Sequence, residues 1–528
     1  MKKKKILITV AVLAAIAAIT PSLIGYFIQG PTQDQGDTAL GFTPIAVDHK
    51  QAMDLKKSLP FVGSAPIDID GDGIDEIFFG GGNNQKDRFF KYDNKALQDI
   101  GNLGLTKADG ITTYGVAVID ATHDGKKDIF VAREDGLYLY TNTGGQFTGE
   151  KISFPLNENS VPLSIAMADI NKDGAVDLYI SNYIREKFVE GETIFNKPYG
   201  GYSNLLLNNG DNTFTDITKS SGVFQQHNTF TSVFVDLNND LNVDLVIAHD
   251  TGRVRIYKNN ADNTFTEQEN PSVFSYPMGI AVSDINNDGL MDLYFSNVGK
   301  TLPKFLVKGD LRDDQKFNMN YMLFENQGDF VFKDVAVEKN AAHYGFGWGV
   351  VSYDFNNDTR ADYLISENYA RFPGVKYLSL YPGNLLQQYK DGGFKPVEKN
   401  AKVENPYFGI SPIVTDFNQD GWPDVFFSNI DSPVLAYLNQ PIAGRNWLKV
   451  EFPDQAKYIG TLLTLTTMSG KKLYNQFYTN EGLSSDQTHI VYFGLGAESK
   501  IASLEVRYPD GRSQVILKPE ANYLIKLQ

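Results

Sequence analysis

Asp68-Ile69-Asp70-Gly71-Asp72-Gly73-Ile74-Asp75-Glu76 decides the fold, because the same nine-residue pattern keeps returning. Related copies begin at Asp120, Asp169, Asp236, Asp284, Asp354 and Asp416, 48 to 70 residues apart. Self-similarity at this period marks an architecture built from one repeated unit with loop insertions. A short apolar segment precedes each copy, as in Gly115-Val116-Ala117-Val118-Ile119, and another follows, as in Leu178-Tyr179-Ile180. Many repeats then add a hairpin such as Leu205 to Phe214, where Asn209-Gly210 supplies the positive-φ turn. Four short strands per repeat, seven times over, argue for radial closure into a β-propeller. A β-helix would show a shorter, more uniform period. The expected fold is all-β: a seven-bladed propeller followed by a small β-rich C-terminal domain, with an N-terminal transmembrane or signal helix.

Positions 1, 3, 5 and 9 of each copy carry side-chain oxygens. They are Asp68, Asp70, Asp72 and Glu76 in the first copy, then Asp120, Thr122, Asp124 and Asp128 in the second. Asp169, Asn171, Asp173 and Asp177 follow, then Asp236, Asn238, Asp240 and Asp244. The last three sets are Asp284, Asn286, Asp288 and Asp292; Asp354, Asn356, Asp358 and Asp362; and Asp416, Asn418, Asp420 and Asp424. With a position-7 carbonyl and water, such a loop offers six or seven oxygens, which is hard-cation chemistry and similar to the first nine positions of an EF-hand loop. Up to seven Ca2+ ions are expected. Magnesium suits the loops less, because it rarely uses an all-protein cage. A metal-free Asx-turn is the alternative for one isolated copy. Seven copies in one ligand register favour metal.

Glycine at position 6 permits a left-handed turn, but Leu241 and Thr359 stand there in the fourth and sixth copies, at ~1 kcal/mol of strain each. Thr122 replaces Asp or Asn in the second. The sites starting at Asp120, Asp236 and Asp354 are therefore expected to bind more weakly.

Across 528 residues the net charge is −16, although Lys2 to Lys5 add four positive charges at one end. This excess of carboxylate disfavours nucleic acid and anionic membrane surfaces as partners. Seven divalent ions would nearly cancel it. There is no cysteine, which excludes disulfides, thiolate metal sites, a cysteine nucleophile and a lipoprotein anchor.

Behind those lysines, Ile6 to Ile28 form an uncharged apolar run, roughly 34 Å long as a helix and so able to cross a hydrocarbon core. The lysines orient it with the N-terminus inside. Residues 1–28 are read as an uncleaved signal anchor or, alternatively, a signal peptide cleaved near Ala15-Ile16-Ala17. Residues 29–45 then form a linker, 46–443 the propeller and 444–528 the last domain. The bulk of the protein is expected in the periplasm or outside the cell, held at the inner membrane by the helix alone, or secreted after cleavage.

These repeats resemble FG-GAP/VCBS repeats, the type found in integrin α-subunit propellers. The C-terminal region resembles the ASPIC/UnbV domain of cartilage acidic protein-like bacterial proteins. Its carrying residues are Asn446-Trp447-Leu448-Lys449-Val450, Gly482-Leu483-Ser484-Ser485, Phe493-Gly494-Leu495-Gly496 and Val506-Arg507-Tyr508-Pro509-Asp510-Gly511. An Asn-Arg-x-Gly stretch common in that domain reads Lys457-Tyr458-Ile459-Gly460 here, so no role of its arginine carries over. The resemblance implies architecture and no general activity. From the residues themselves, Trp447 to Phe452, Leu462 to Thr467, His489 to Phe493 and Leu504 to Tyr508 alternate like strands.

No catalytic residue is assigned. His49, His123, His227, His249, His343 and His489 lie far apart and form no metal-binding pair, and Gly-x-Ser-x-Gly is absent. Gly345-Phe346-Gly347-Trp348-Gly349 precedes a strand, so small residues near a crowded axis explain it better than a dinucleotide site. Insertions after the third, fifth and sixth motifs bring aromatic and basic residues together. These are Arg185, Lys187, Phe188, Phe195, Tyr199 and Tyr202; Lys300, Lys304, Phe305, Lys308 and Arg312; and Tyr369, Arg371, Phe372, Lys376 and Tyr377. Such loops suit recognition of a protein or glycan partner. A non-enzymatic, calcium-binding surface or adhesion protein is the expectation. A polysaccharide-processing enzyme at the propeller axis and an envelope scaffold are the alternatives.

Overall fold

Each repeat folds into an antiparallel meander whose burial falls from the inside outward. In the second, Thr113–Ile119 and Asp128–Arg133 are buried along their whole length, while the fourth strand, Phe147–Ile152, shows four exposed residues between buried ends. Strands covered on both faces read as unbroken apolar or small runs, and strands with one wet face alternate. The computed structural model describes residues 39–55, 57–189, 194–299, 304–368 and 383–528. Residues 1–28, read from the sequence as an anchor or signal, and most of the expected linker lie outside those residues. Among the described residues no helix is long and apolar enough to cross a membrane.

Four-stranded sheets begin at Thr113, Ser160, Thr229, Ile280 and Gly347. Their first strands and Ser64–Ile67 and Gly409–Thr415 pack side by side in sequence order, and Gly409–Thr415 returns to Ser64–Ile67. The architecture is propeller-like and all-β. Glycines let the innermost strands approach: a Cβ on Gly115 would lie 2.2 Å from the Leu163 carbonyl oxygen, and one on Gly349 2.5 Å from Ser411 Oγ. The Gly345–Gly349 cluster serves this crowding, with Gly347–Tyr353 forming an innermost strand.

How the chain's two ends are joined was not legible in the sequence. Phe42–Val47 runs antiparallel to Leu435–Asn439, from Phe42 opposite Asn439 to Ile45 opposite Ala436. The same strand also meets Ala96–Gly101 in parallel. First and last repeats thereby share one eight-stranded sheet.

After Asn439 come a three-stranded sheet ordered Ile490–Gly496, Asn446–Glu451, Tyr523–Lys526, and a four-stranded sheet ordered Lys472–Gln476, Leu462–Thr467, Ile501–Arg507, Ser513–Leu517. The four strands expected here are present within a few residues. The three not anticipated, Lys472–Gln476, Ser513–Leu517 and Tyr523–Lys526, carry mostly polar or exposed side chains, so their alternation is weak. One apolar cluster runs from Ala117, Ile165 and Phe234 of the repeats to Leu448, Leu465 and Phe493 of this region, so the two parts share a core.

Candidate metal loops and the axial plug

In every loop the first aspartate organises the turn. Asp169 Oδ1 accepts the Asp173 N–H (3.0 Å) and Oδ2 the Gly174 N–H (2.8 Å). The same position-5 and position-6 donors serve Asp120, Asp236, Asp284, Asp354 and Asp416. In the first loop Asp68 takes Gly71 and Gly73. Position 5 accepts the N–H of position 7, from Asp72 through Asp124, Asp173, Asp240, Asp288 and Asp358 to Asp420. The position-9 acid accepts the N–H of position 2 in all copies, at 2.8–3.2 Å. At position 3 the Asn171, Asn238, Asn286, Asn356 and Asn418 amides donate to the Oδ2 of position 5, and Thr122 Oγ1 donates to Asp128.

Position 6 is left-handed throughout, and it holds Leu241 at φ 68° and Thr359 at φ 80°, the strain expected at those two sites. Position 4 is left-handed as well, at Gly71, His123, Lys172, Asn239, Asn287, Asn357 and Gln419. That second demand was not read from the sequence, because only the first copy marks it with glycine.

The donor set fits a hard cation by its chemistry: oxygens alone, in one register, with the position-9 carboxylate buried from water in every copy. Burial pushes the Asp177 and Asp292 carboxyls up to about 8 and those of Asp169, Asp236 and Asp284 to about 6, against the N–H donors that favour ionisation. A nearby cation is what returns such groups to the charged form. Asp68, Asp70 and Glu76 bring ligand oxygens within 4.8 Å of one another and are the only such acidic group among the described residues.

A ladder of amides links the loops. Asn142, Asn208, Asn259, Asn326, Gln388 and Asn439 each give their backbone N–H to the second oxygen of their own position-9 acid, at 2.7–3.0 Å. The side-chain amides of Asn142, Asn259, Asn326, Gln388 and Asn439 reach the position-2 carbonyl of the preceding loop: Ile69, Ile170, Leu237, Ile285 and Phe355. Asn212 makes that link to Ala121. The signal in the sequence is the recurring Asn-Asn or Asn-Gln pair at the hairpins, as at Asn208-Asn209, Asn259-Asn260, Asn326-Gln327 and Asn439-Gln440.

The strands nearest the axis would present unpaired backbone donors to an open channel. Residues 476–488 fill that role. Val118 donates to Asp486 Oδ2 (2.9 Å), Met167 to Asn480 Oδ1 (3.1 Å), Asp236 to Gln476 Oε1 (2.8 Å) and Val414 to Gln487 Oε1 (2.9 Å). Glu481 Oε1 alone accepts Val282 (3.0 Å) and Ser352 (2.9 Å). Asp486 N–H reaches the Ser64 carbonyl, and Gly482 exchanges two backbone bonds with Ile280. One plug therefore touches every innermost strand. In the sequence, Gly482 to Ser485 stand out only through the resemblance to the ASPIC/UnbV domain.

Residues 453–528 match the family model for ASPIC and UnbV, and residues 68–131, 120–180 and 236–295 match the FG-GAP-like repeat. The chain carries FG-GAP-like repeats and an ASPIC/UnbV domain. Cartilage acidic protein 1 of Homo sapiens is 25% identical over 498 residues, covering 88% of this chain and 63% of that protein. The Mus musculus protein is 23% identical, with coverages of 88% and 64%. The chain spans less than two thirds of these relatives' own length. Among solved structures, BBS1N in complex with ARL6DN, soaked with lead, aligns at a TM-score of 0.44 and 10% identity, over 76% of this chain and 98% of that one.

The ASPIC/UnbV domain sits on the loop side of the FG-GAP repeats. Lys449 Nζ lies 2.7 Å from Asp416 Oδ2, and Asp454 carbonyl oxygen accepts the Asp120 N–H at 2.7 Å. At the end of the plug His489 is buried between Asp454 (2.7 Å) and Asp486 (3.3 Å). Burial alone would lower its pKa; the two carboxylates overturn that and raise it to about 9.

In the insertions, Phe195 stacks on Tyr199 at 4.2 Å between centroids, and Lys304 lies 5.7 Å over Phe317. Asn196 accepts none of this packing passively: its N–H and amide both donate to Asp310, joining the first insertion to the second. Lys300, Tyr369, Arg371, Phe372, Lys376 and Tyr377 lie outside the described residues.

Proposed function

We propose that this chain is an exported, membrane-anchored, seven-bladed calcium-binding propeller that recognises a protein or glycan partner through its loops. The observation that carries the reading is the repeated all-oxygen loop, in which buried carboxylates share one register from copy to copy. Asp169, Asn171, Asp173 and Asp177, and their equivalents, would hold the ion. Its charge would offset carboxylate repulsion and stiffen the turn between the first two strands of each blade. The cyclic packing of innermost strands supports the blade count, and Lys2 to Lys5 before the apolar run support the anchor.

Joined insertions with aromatic and basic side chains support a recognition surface. An axial enzyme is less favoured, because the plug occupies the loop-side channel that such a site would use. The test measures calcium content and thermal unfolding of the purified full-length chain in detergent, with and without EDTA, followed by pull-down and glycan-array screening. Several bound calcium ions and a large loss of stability in EDTA are expected. No calcium and an unchanged unfolding curve would refute the metal reading, and turnover on a polysaccharide panel without any binding partner would refute the recognition reading.

A further inference from the structure

The first loop differs from the other six in what faces its position-9 acid. Elsewhere the second oxygen of that acid accepts a backbone N–H from the third strand, at Asn142, Asn208, Asn259, Asn326, Gln388 or Asn439. In the first repeat Tyr92 stands at the equivalent place, and its ring packs against Phe417 at 5.8 Å. The freed oxygen, Glu76 Oε1, lies instead 2.8 Å from the ammonium of Lys91, the residue just before Tyr92. The same ammonium lies 3.0 Å from Asp70 Oδ2 and 2.9 Å from Asp72 Oδ2.

Lys91 thus meets the side chains of positions 3, 5 and 9 together. At the corresponding strand position the other repeats carry Thr141, Leu207, Lys258, Glu325, Gln387 and Leu438. Among the described residues, the cationic side chains that touch other loops each approach one ligand carboxylate: Lys126 at Asp124, Arg360 and Arg445 at Asp358, Lys449 at Asp416. The first loop also has the greatest need of a cation, with four carboxylates where each other loop has three.

We propose that the Lys91 ammonium is the resident cation of the first loop, so that the loop richest in carboxylates takes up calcium least readily. An ammonium and a divalent ion compete for the same three oxygens, and calcium enters only by displacing the lysine. Glu at position 9 belongs to the same arrangement, since its extra methylene carries the carboxylate out to the lysine while Oε2 still accepts the Ile69 N–H at 3.0 Å. The proposal rests on the calcium reading for the other loops, and its test separates the two.

Calcium uptake by the full-length chain is measured by isothermal titration and equilibrium dialysis for the wild type and Lys91→Met, with thermal unfolding in EDTA alongside. Lys91→Met is expected to bind one calcium more than the wild type at micromolar free ion, to unfold earlier than the wild type in EDTA, and to recover fully on adding calcium. Adding Asp70→Asn to Lys91→Met is expected to weaken the extra site at least tenfold, which assigns it to this loop. Equal stoichiometry and affinity in a wild type that does bind calcium overturn the proposal and leave the calcium reading intact. If neither protein binds calcium, the calcium reading fails, and the EDTA unfolding still decides: an earlier midpoint for Lys91→Met supports the ammonium's role, and an unchanged one overturns it. Lys91→Gln, which keeps hydrogen-bond donors without charge, replaces Lys91→Met should that variant fail to fold.

Discussion

Replacing Glu481 by alanine should loosen the whole propeller, although Glu481 belongs to the ASPIC/UnbV domain. Its Oε1 is the sole acceptor joining Val282 and Ser352, backbone donors on two adjacent innermost strands, and the side chain is 2% exposed. Glu481→Ala leaves both donors buried without a partner. Each such group costs about 1–3 kcal/mol, so the expected loss is ~2–6 kcal/mol. Burial holds the Glu481 carboxyl well above the usual carboxylate range, outweighing the two N–H donors. The neutral amide of Glu481→Gln keeps one acceptor oxygen and should therefore cost less than ~1 kcal/mol. A raised carboxyl pKa penalises the folded state once pH exceeds the unfolded value of about 4.3, so Glu481→Gln should gain on the wild type from pH 5 to pH 8. Urea unfolding followed by tryptophan fluorescence reads the effect, since Trp348 packs in the same apolar cluster as Leu483 of the plug. With a slope of ~4 kcal/mol/M, as suits a chain of this size, Glu481→Ala should move the midpoint down by roughly 0.5–1.5 M. A midpoint within ~0.2 M of the wild type, less than half the smallest expected shift, would refute the role given to the plug.

Three further outcomes follow from the same geometry. His489 has a folded pKa of about 9 against about 6.5 unfolded, so its bonds to Asp486 and Asp454 stabilise fully below pH 6.5 and are lost as pH rises through 9, ~3 kcal/mol at most. Unfolding midpoints should fall between pH 7 and 10, and His489→Gln should remove most of that fall. Leu241→Gly and Thr359→Gly relieve left-handed strain and should each raise stability by ~1 kcal/mol in thermal unfolding. Asn259→Ala breaks the amide link to the Ile170 carbonyl and should cost about 1–2 kcal/mol, while a control change at exposed Asn260 should cost little.

The loops were legible because their chemistry is local. Nine consecutive residues determine which side chain accepts which N–H, so Asp169 to Asp177 could be read without knowing the rest of the chain. The strands around them were legible for a related reason, since Val116 to Ile119 is apolar on both faces and only a buried strand permits that. What joins distant segments left weaker marks. Asn142 reads as a hairpin residue, and nothing in its neighbours says that its amide ends on Ile69. Phe42–Val47 has mixed exposure and could not announce pairing with Leu435–Asn439, nearly four hundred residues on. Lys91 escaped notice because it lies 15 residues beyond Glu76, on another strand, where a lysine between Phe90 and Tyr92 looks like the wet face of an edge strand.

The plug and the loops act on the same turns, and this makes their energetics inseparable. Asp120 binds Asp454 through its backbone, Asp416 binds Lys449 through its carboxylate, and a Cβ on Gly494 would lie 1.9 Å from Asp354 Oδ2. On the calcium reading, an ion that rigidifies these loops also fixes the surface on which the ASPIC/UnbV domain rests. By linkage, docking of that domain must then raise the affinity of those loops by the factor with which the ion favours docking. Among the described residues, the loops starting at Asp169 and Asp284 meet no side-chain cation of the domain in an ion pair, whereas Asp416 meets Lys449. Glu481→Ala, by weakening docking, should therefore lower calcium affinity at the loops starting at Asp120, Asp354 and Asp416 more than at those starting at Asp169 and Asp284. Uniform weakening across all loops, read from calcium titrations of single-loop knockouts, would mean that the domain is a passive lid and that the coupling argued here is absent.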